Sequence, residues 1–165
     1  MSVNYKNICR EIEDAAKETG KFIREESRVF DINRAESKGL HDLVSYVDKG
    51  SEKLLVDRLN KILPEAGFIT EEGTSSKKGE KFCWIIDPLD GTTNFIHGVH
   101  PYAISVGLRE DDEIIAGVVY EAGGSELFSA DSWLADMRLR IGDVSCRVRD
   151  FAIGKRIVIF NLNIL

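Results

Sequence analysis

Residues 82–95, FCWIIDPLDGTTNF, constrain this chain more tightly than any other stretch. Phe82 to Ile86 form an unbroken apolar run bounded by polar residues, the pattern of a short buried strand. The run ends on two aspartates, Asp87 and Asp90, separated by Pro88 and Leu89 and followed by Gly91-Thr92-Thr93. A strand that ends this way has to turn, because Asp starts turns, Pro fixes φ and Gly accepts positive φ. Such a turn aims both carboxylates at one point, with the Leu89 carbonyl between them. In isolation, Asp-Pro-x-Asp-Gly is ordinary turn chemistry, so the rest of the chain has to decide whether it is more.

Upstream, GFIT (67–70) reads as another short buried strand, ending on the pair Glu71-Glu72. If the two strands are neighbours, Glu71 joins Asp87 and Asp90. Three carboxylates this close repel one another unless a cation neutralises them. An all-oxygen ligand set without Cys or His favours a hard ion, Mg²⁺ ahead of Ca²⁺ or Zn²⁺. Gly91, Thr92 and Thr93 then offer backbone N–H groups and hydroxyls where a helix can begin, a natural place for phosphate oxygens. Metal and anion cradle together suit hydrolysis of a phosphate ester.

The remaining segments supply a scaffold. Apolar residues recur at helical spacing from Asn7 to about Glu26, and again from Ser51 to Leu63 ahead of Pro64. Ser51 is expected to cap the second helix, with Asp48 just before its start; residues 28–47 look irregular. The stretch 73–81, GTSSKKGEK, is a polar loop, and its Lys77, Lys78 and Lys81 either attract phosphate or are solvated. Residues 102–108, 114–120 and 125–130 have strand character and polar turns between them, which predicts a meander. Helices first and strands later indicate an α+β, layered architecture. Cys83 and Trp84 are expected in the core, and His97 and His100 in structural or solvent-facing roles.

A net charge of −6 argues against a nucleic-acid polymer as partner, which demands a basic face. No apolar run reaches the ~20 residues of a membrane helix, so no membrane partner is expected. The N-terminus has no apolar signal core, and three cysteines without a CxxC fit a reducing, cytoplasmic setting.

Three segments together carry a resemblance. The run 84–98, WIIDPLDGTTNFIHG, is similar to the signature of the inositol monophosphatase family. The segment 68–73, FITEEG, resembles that family's metal-binding glutamate motif, and 42–48, DLVSYVD, its upstream aspartate segment. The similarity spans residues 1–130 and implies a layered α/β sandwich. By position it implies that Glu71 is shared between metal ions, that Asp87 bridges them, that Leu89 ligates through its carbonyl and that Asp90 holds a second Mg²⁺. Thr92 matches the threonine that orients the attacking water, so Thr92, Glu71 and Asp87 form the catalytic set. Asp90, Gly91, Thr92 and Thr93 would meet the substrate phosphate. Asp48, Glu72 and Lys38 would stand behind the metal ligands, or Asp48 would serve a third metal ion; the spacing from Lys38 to Asp42 departs from the family's.

The activity implied is Mg²⁺-dependent hydrolysis of a small phosphorylated substrate, inositol monophosphate first, with a sugar bisphosphate or a 3'-phosphoadenosine nucleotide as alternatives. A homodimer is compatible with it. The family's second signature, Trp-Asp followed by small residues, does not occur after residue 130. From Asp131 onward the chain has no Glu, one Lys and five Arg, and ends in the uncharged, β-prone IVIFNLNIL (157–165). Residues 131–165 are therefore expected to be an atypical tail, truncated or frame-shifted, with the family's C-terminal layers missing. A catalytically inactive, metal-binding fragment is the alternative to an enzyme.

Overall fold

A computed structural model describes residues 4–30, 40–131, 138–141 and 144–147. Helix α1 spans Tyr5–Val29, and the Asn4 side chain caps it by accepting from the Asn7 N–H. Its buried stripe, including Ile8, Ile12, Ala15, Ala16, Thr19 and Ile23, repeats at three- and four-residue intervals, as the periodicity predicts.

Helix α2 spans Leu40–Ile62 and differs from expectation. Residues 40–47, read as irregular, are helical, so Ser51 lies in mid-helix and caps nothing, and Asp48 sits inside the helix. The reason is visible in the buried stripe, which runs through Val47, Asp48, Ser51, Glu52, Leu55 and Leu59. The spacing is helical, but three of the six residues are polar, so apolar periodicity fades in the first half.

Five strands follow: β1 (Gly67–Thr70), β2 (Phe82–Asp90), then, after the short helix α3 (Thr92–Ile96), β3 (Ala103–Glu110), β4 (Glu113–Glu121) and β5 (Glu126–Asp131). They form one sheet in the order β1-β2-β3-β4-β5. β1 pairs with β2 in parallel and the other pairs are antiparallel, so the expected meander is present with a parallel strand added at its edge. Beyond it, β6 (Arg138–Ile141) and β7 (Val144–Arg147) form an antiparallel hairpin. The apolar stretch 157–165 lies outside the described residues.

Both helices cover one face of the sheet. Ile12 and Ile23 of α1 and Leu55 and Leu59 of α2 share a core with Trp84, Ile104, Leu108 and Val118, all with 2% exposure or less. Trp84 and Cys83 are buried as expected. At about 25 cal/mol per Å² of buried apolar surface, this cluster is the main favourable contribution to folding. No described helix is long and apolar enough to cross a membrane.

The connection from β1 to β2 is a polar loop that folds back along the free edge of β1. The Phe68 N–H donates to the Lys77 carbonyl at 2.8 Å. A Cβ on Gly67 would lie 2.2 Å from the Gly79 nitrogen, so the two backbones meet where only glycine fits. Lys77 donates to Asn60 Oδ1 at 2.6 Å and to the Pro64 carbonyl, and Lys81 pairs with Glu110 at 2.6 Å. These two lysines are engaged in tethering the loop, a role outside the phosphate-or-solvent choice the sequence suggested.

Candidate metal and phosphate site

The opening motif resolves into a β-bulge. Asp87 pairs with Ser105 and Asp90 with Ala103, so β2 spends three steps where β3 spends two. Side chains alternate along a strand, and residues three apart normally face opposite ways. One extra residue reverses that parity. The bulge therefore turns Asp87 and Asp90 to the same side, and Pro88, which has no N–H to give, sits where ladder pairing lapses. The expected turn at Asp87 is thus a kink within a strand that continues to Asp90. The Leu89 N–H donates to Asp87 Oδ1 at 3.2 Å, fixing that carboxylate over the bulge.

Glu71 reaches the same place from β1. Thr70 is in register with Ile86 in the parallel ladder, so the next residues, Glu71 and Asp87, emerge side by side. Their side chains share a hydrogen bond. Burial first, then this bond and the charges of Glu71 and Asp90, push the proton affinity of Asp87 far above the ordinary carboxylate range. Asp90 is also raised, by burial and then by the charge of Glu71. Asp48, projecting from α2 and 6% exposed, is raised to about 7 by burial and then by the charges of Glu72 and Glu71.

The phosphate-side residues follow at once. Gly91, with φ of 88°, takes the left-handed conformation that starts α3. A Cβ there would lie 3.0 Å from the Pro101 carbonyl, so both conformation and space demand glycine. The Thr92 hydroxyl donates to the Leu89 carbonyl at 3.0 Å, and Asn94 Nδ2 donates to the Pro101 carbonyl at 2.7 Å. Thr93 is exposed in the first turn, where helical N–H groups have no intrahelical acceptor.

Two buried glutamates that sequence reasoning missed frame the site. Glu52, one turn after Asp48 on α2 and 0% exposed, accepts from Glu72 N–H at 2.7 Å, Thr74 N–H at 2.8 Å and the Thr74 hydroxyl at 2.7 Å. Glu121, at the end of β4, accepts from the Tyr102, Gly123 and Gly124 N–H groups and lies 3.1 Å from His100 Nδ1. It thereby holds the Pro101–Tyr102 segment against which Gly91 packs. Recognising α2 as one helix would have revealed Glu52 through its i, i+4 relation to Asp48. His100 has the structural role expected of it, and His97 is exposed. Lys38 lies outside the described residues.

Glu71, Asp87 and Asp90 thus neighbour one another, with Asp48 close to Glu71 and Glu72. Among the described residues, no three His, Cys, Asp or Glu side chains form a ready-made metal cage. The chemistry of the set nonetheless fits a hard cation: all donors are oxygen, and burial, then mutual repulsion, favours protons where a cation would replace them.

The comparisons agree with the fold. A model of the inositol monophosphatase family matches residues 5–140, and this chain belongs to that family. The inositol-1-monophosphatase of Rhizobium meliloti is 43% identical over 110 residues, covering 64% of this chain and 41% of the relative. The Nus factor SuhB of Escherichia coli is 38% identical over 117 residues, covering 70% and 44%. Among solved structures, the extragenic suppressor protein suhB from Bartonella henselae superposes with a TM-score of 0.68 at 32% identity, covering 86% of this chain and 53% of that one. The chain spans about half the length of the relatives it matches. Relatives bearing the name Nus factor lend no support to excluding a nucleic-acid partner on net charge alone.

Proposed function

We propose that this chain provides the cation- and phosphate-binding part of a Mg²⁺-dependent phosphomonoesterase whose first substrate is inositol monophosphate. The observation that carries the reading is the bulge, which turns Asp87 and Asp90 to one side, next to Glu71. Glu71, Asp87, Asp90 and the Leu89 carbonyl would hold Mg²⁺. When bound, the metal supplies charge neutralisation and lowers the pKa of water so that it can attack phosphorus.

The chain's own residues do the rest. The Thr92 hydroxyl, whose proton is directed to the Leu89 carbonyl, keeps its lone pairs free to accept a hydrogen bond from the attacking water and so orient it. The N–H groups of Gly91, Thr92 and Thr93 bind phosphate oxygens at the start of α3. Asp48, holding a proton up to about pH 7, accepts a hydrogen bond from the cluster or donates one to it as it titrates. Glu72 completes the acidic wall behind Glu71.

Phosphate release from inositol monophosphate, assayed with and without Mg²⁺ and compared with Asp90→Asn, tests this. Release that depends on Mg²⁺ and falls at least about 100-fold in the variant supports it. The same assay with a sugar bisphosphate and a 3'-phosphoadenosine nucleotide ranks the alternative substrates. Mg²⁺ binding without release from any of them would favour the non-catalytic reading, a metal-binding chain.

A further inference from the structure

We propose that Glu52 is a positioning residue that sets the cation affinity of the site by holding the loop that carries Glu71 and Glu72. The inference rests on the cation reading above and adds a residue to it.

Glu71 stands one residue beyond β1, exposed and past the last pair of the parallel ladder. The ladder brings Glu71 level with Asp87 but ends at Thr70, so no strand pairing holds the residues that follow. The loop that follows is fixed instead from the opposite side, by α2. Glu52 Oε2 takes the Glu72 N–H and Glu52 Oε1 takes both the N–H and the hydroxyl of Thr74. Gly73 between them adopts φ of 70°, which folds both N–H groups toward one carboxylate. Fully burying a carboxylate costs several kcal/mol, and here it is also set among Asp48, Glu71 and Glu72. A residue serving only to fill the core would be apolar. The arrangement makes sense where two loop N–H groups must be held in one geometry.

The chemistry requires a carboxylate specifically. Both oxygens accept, and each faces a backbone donor. In Glu52→Gln, whichever way the amide turns, its NH₂ meets a backbone N–H. The side chain keeps its size and shape, yet one end of the loop is released. Glu71 then loses its fixed approach to Asp87, and cation affinity falls although no ligand has been changed.

The test uses the full chain in three forms: wild type, Glu52→Gln and Thr74→Val. Mg²⁺ affinity is read by calorimetry and amide exchange by NMR. Glu52→Gln is expected to weaken Mg²⁺ binding by about 10–100-fold, the range seen when groups supporting metal ligands are removed. Exchange at the Glu72 and Thr74 amides should rise at least about tenfold, with the β2–β4 amides unchanged. Thr74→Val, which removes the hydroxyl donor from the exposed loop side, should weaken binding by about threefold and preserves the test if Glu52→Gln fails to fold. Mg²⁺ affinity within twofold of wild type in both variants would overturn the proposal. A wild-type chain that binds no Mg²⁺ would sink the cation reading; the loop claim would then stand or fall on whether Glu72 and Thr74 selectively lose protection.

Discussion

The molecule buries acidic side chains in two contrasting ways. Glu52 and Glu121 are each surrounded by N–H donors, at least two backbone groups apiece. Asp87, Asp90 and Asp48 are surrounded chiefly by other acids, and burial and those neighbours raise their proton affinities. The first kind is satisfied by the fold; the second carries charges that the described residues do not neutralise. The satisfied glutamates stand on α2 and β4, while the unsatisfied cluster centres on the strand ends between them. Scaffold and site are thus distinguished by the partners each carboxylate has been given.

The contrast can be broken most directly by deletion. Glu121→Ala leaves the Tyr102, Gly123 and Gly124 N–H groups without their acceptor and is expected to cost roughly 2–4 kcal/mol in urea unfolding. Asp87→Asn in chelator at pH 8 removes a repelled charge and should stabilise the chain by about 1 kcal/mol, after allowing for solvent screening. A cost for Asp87→Asn equal to that for Glu121→Ala would erase the distinction.

pH sharpens it further. Asp48 binds its proton more tightly folded, with a pKa of about 7, than unfolded, near 3.8. The folded state therefore carries the extra proton between these values, and stability falls as pH rises. Without divalent cations, the melting temperature at pH 8 should lie at least about 3 °C below that at pH 5. Asp48→Asn should flatten part of that slope, with Asp87 and Asp90 carrying the rest. A melting temperature that rises with pH would contradict the raised affinity of the cluster.

The smallest effect is expected outside both groups. Lys77→Met loses the bonds to Asn60 and Pro64 on the exposed loop, and should cost under about 1 kcal/mol with Mg²⁺ binding intact. A large loss of binding would make the lysine tether, rather than Glu52, the principal support of the loop.

The sequence made part of this legible. Regular alternation in 102–130 foretold β3, β4 and β5, and the apolar stripe of 7–26 foretold α1, because in each the burial pattern is written in apolar residues. The first half of α2 was hidden because Asp48, Ser51 and Glu52 interrupt its buried stripe. The acidic pair Asp87 and Asp90 and their common aim were legible as a turn, but the device that produces it, one unpaired residue in a ladder, is written in no local pattern. Glu121 was invisible for a different reason: its donors come from a loop and a turn brought together only by the paired ends of β3 and β4.

The most direct test of the account is Mg²⁺ titration calorimetry at pH 7 in two buffers of different ionisation enthalpy. If the cluster holds protons in place of a cation, binding must expel them. A saturable Mg²⁺ site is expected, its apparent enthalpy changing with the buffer in line with release of about one proton per ion. Binding with no proton release, or no binding at all, would contradict the claim that these carboxylates await a cation.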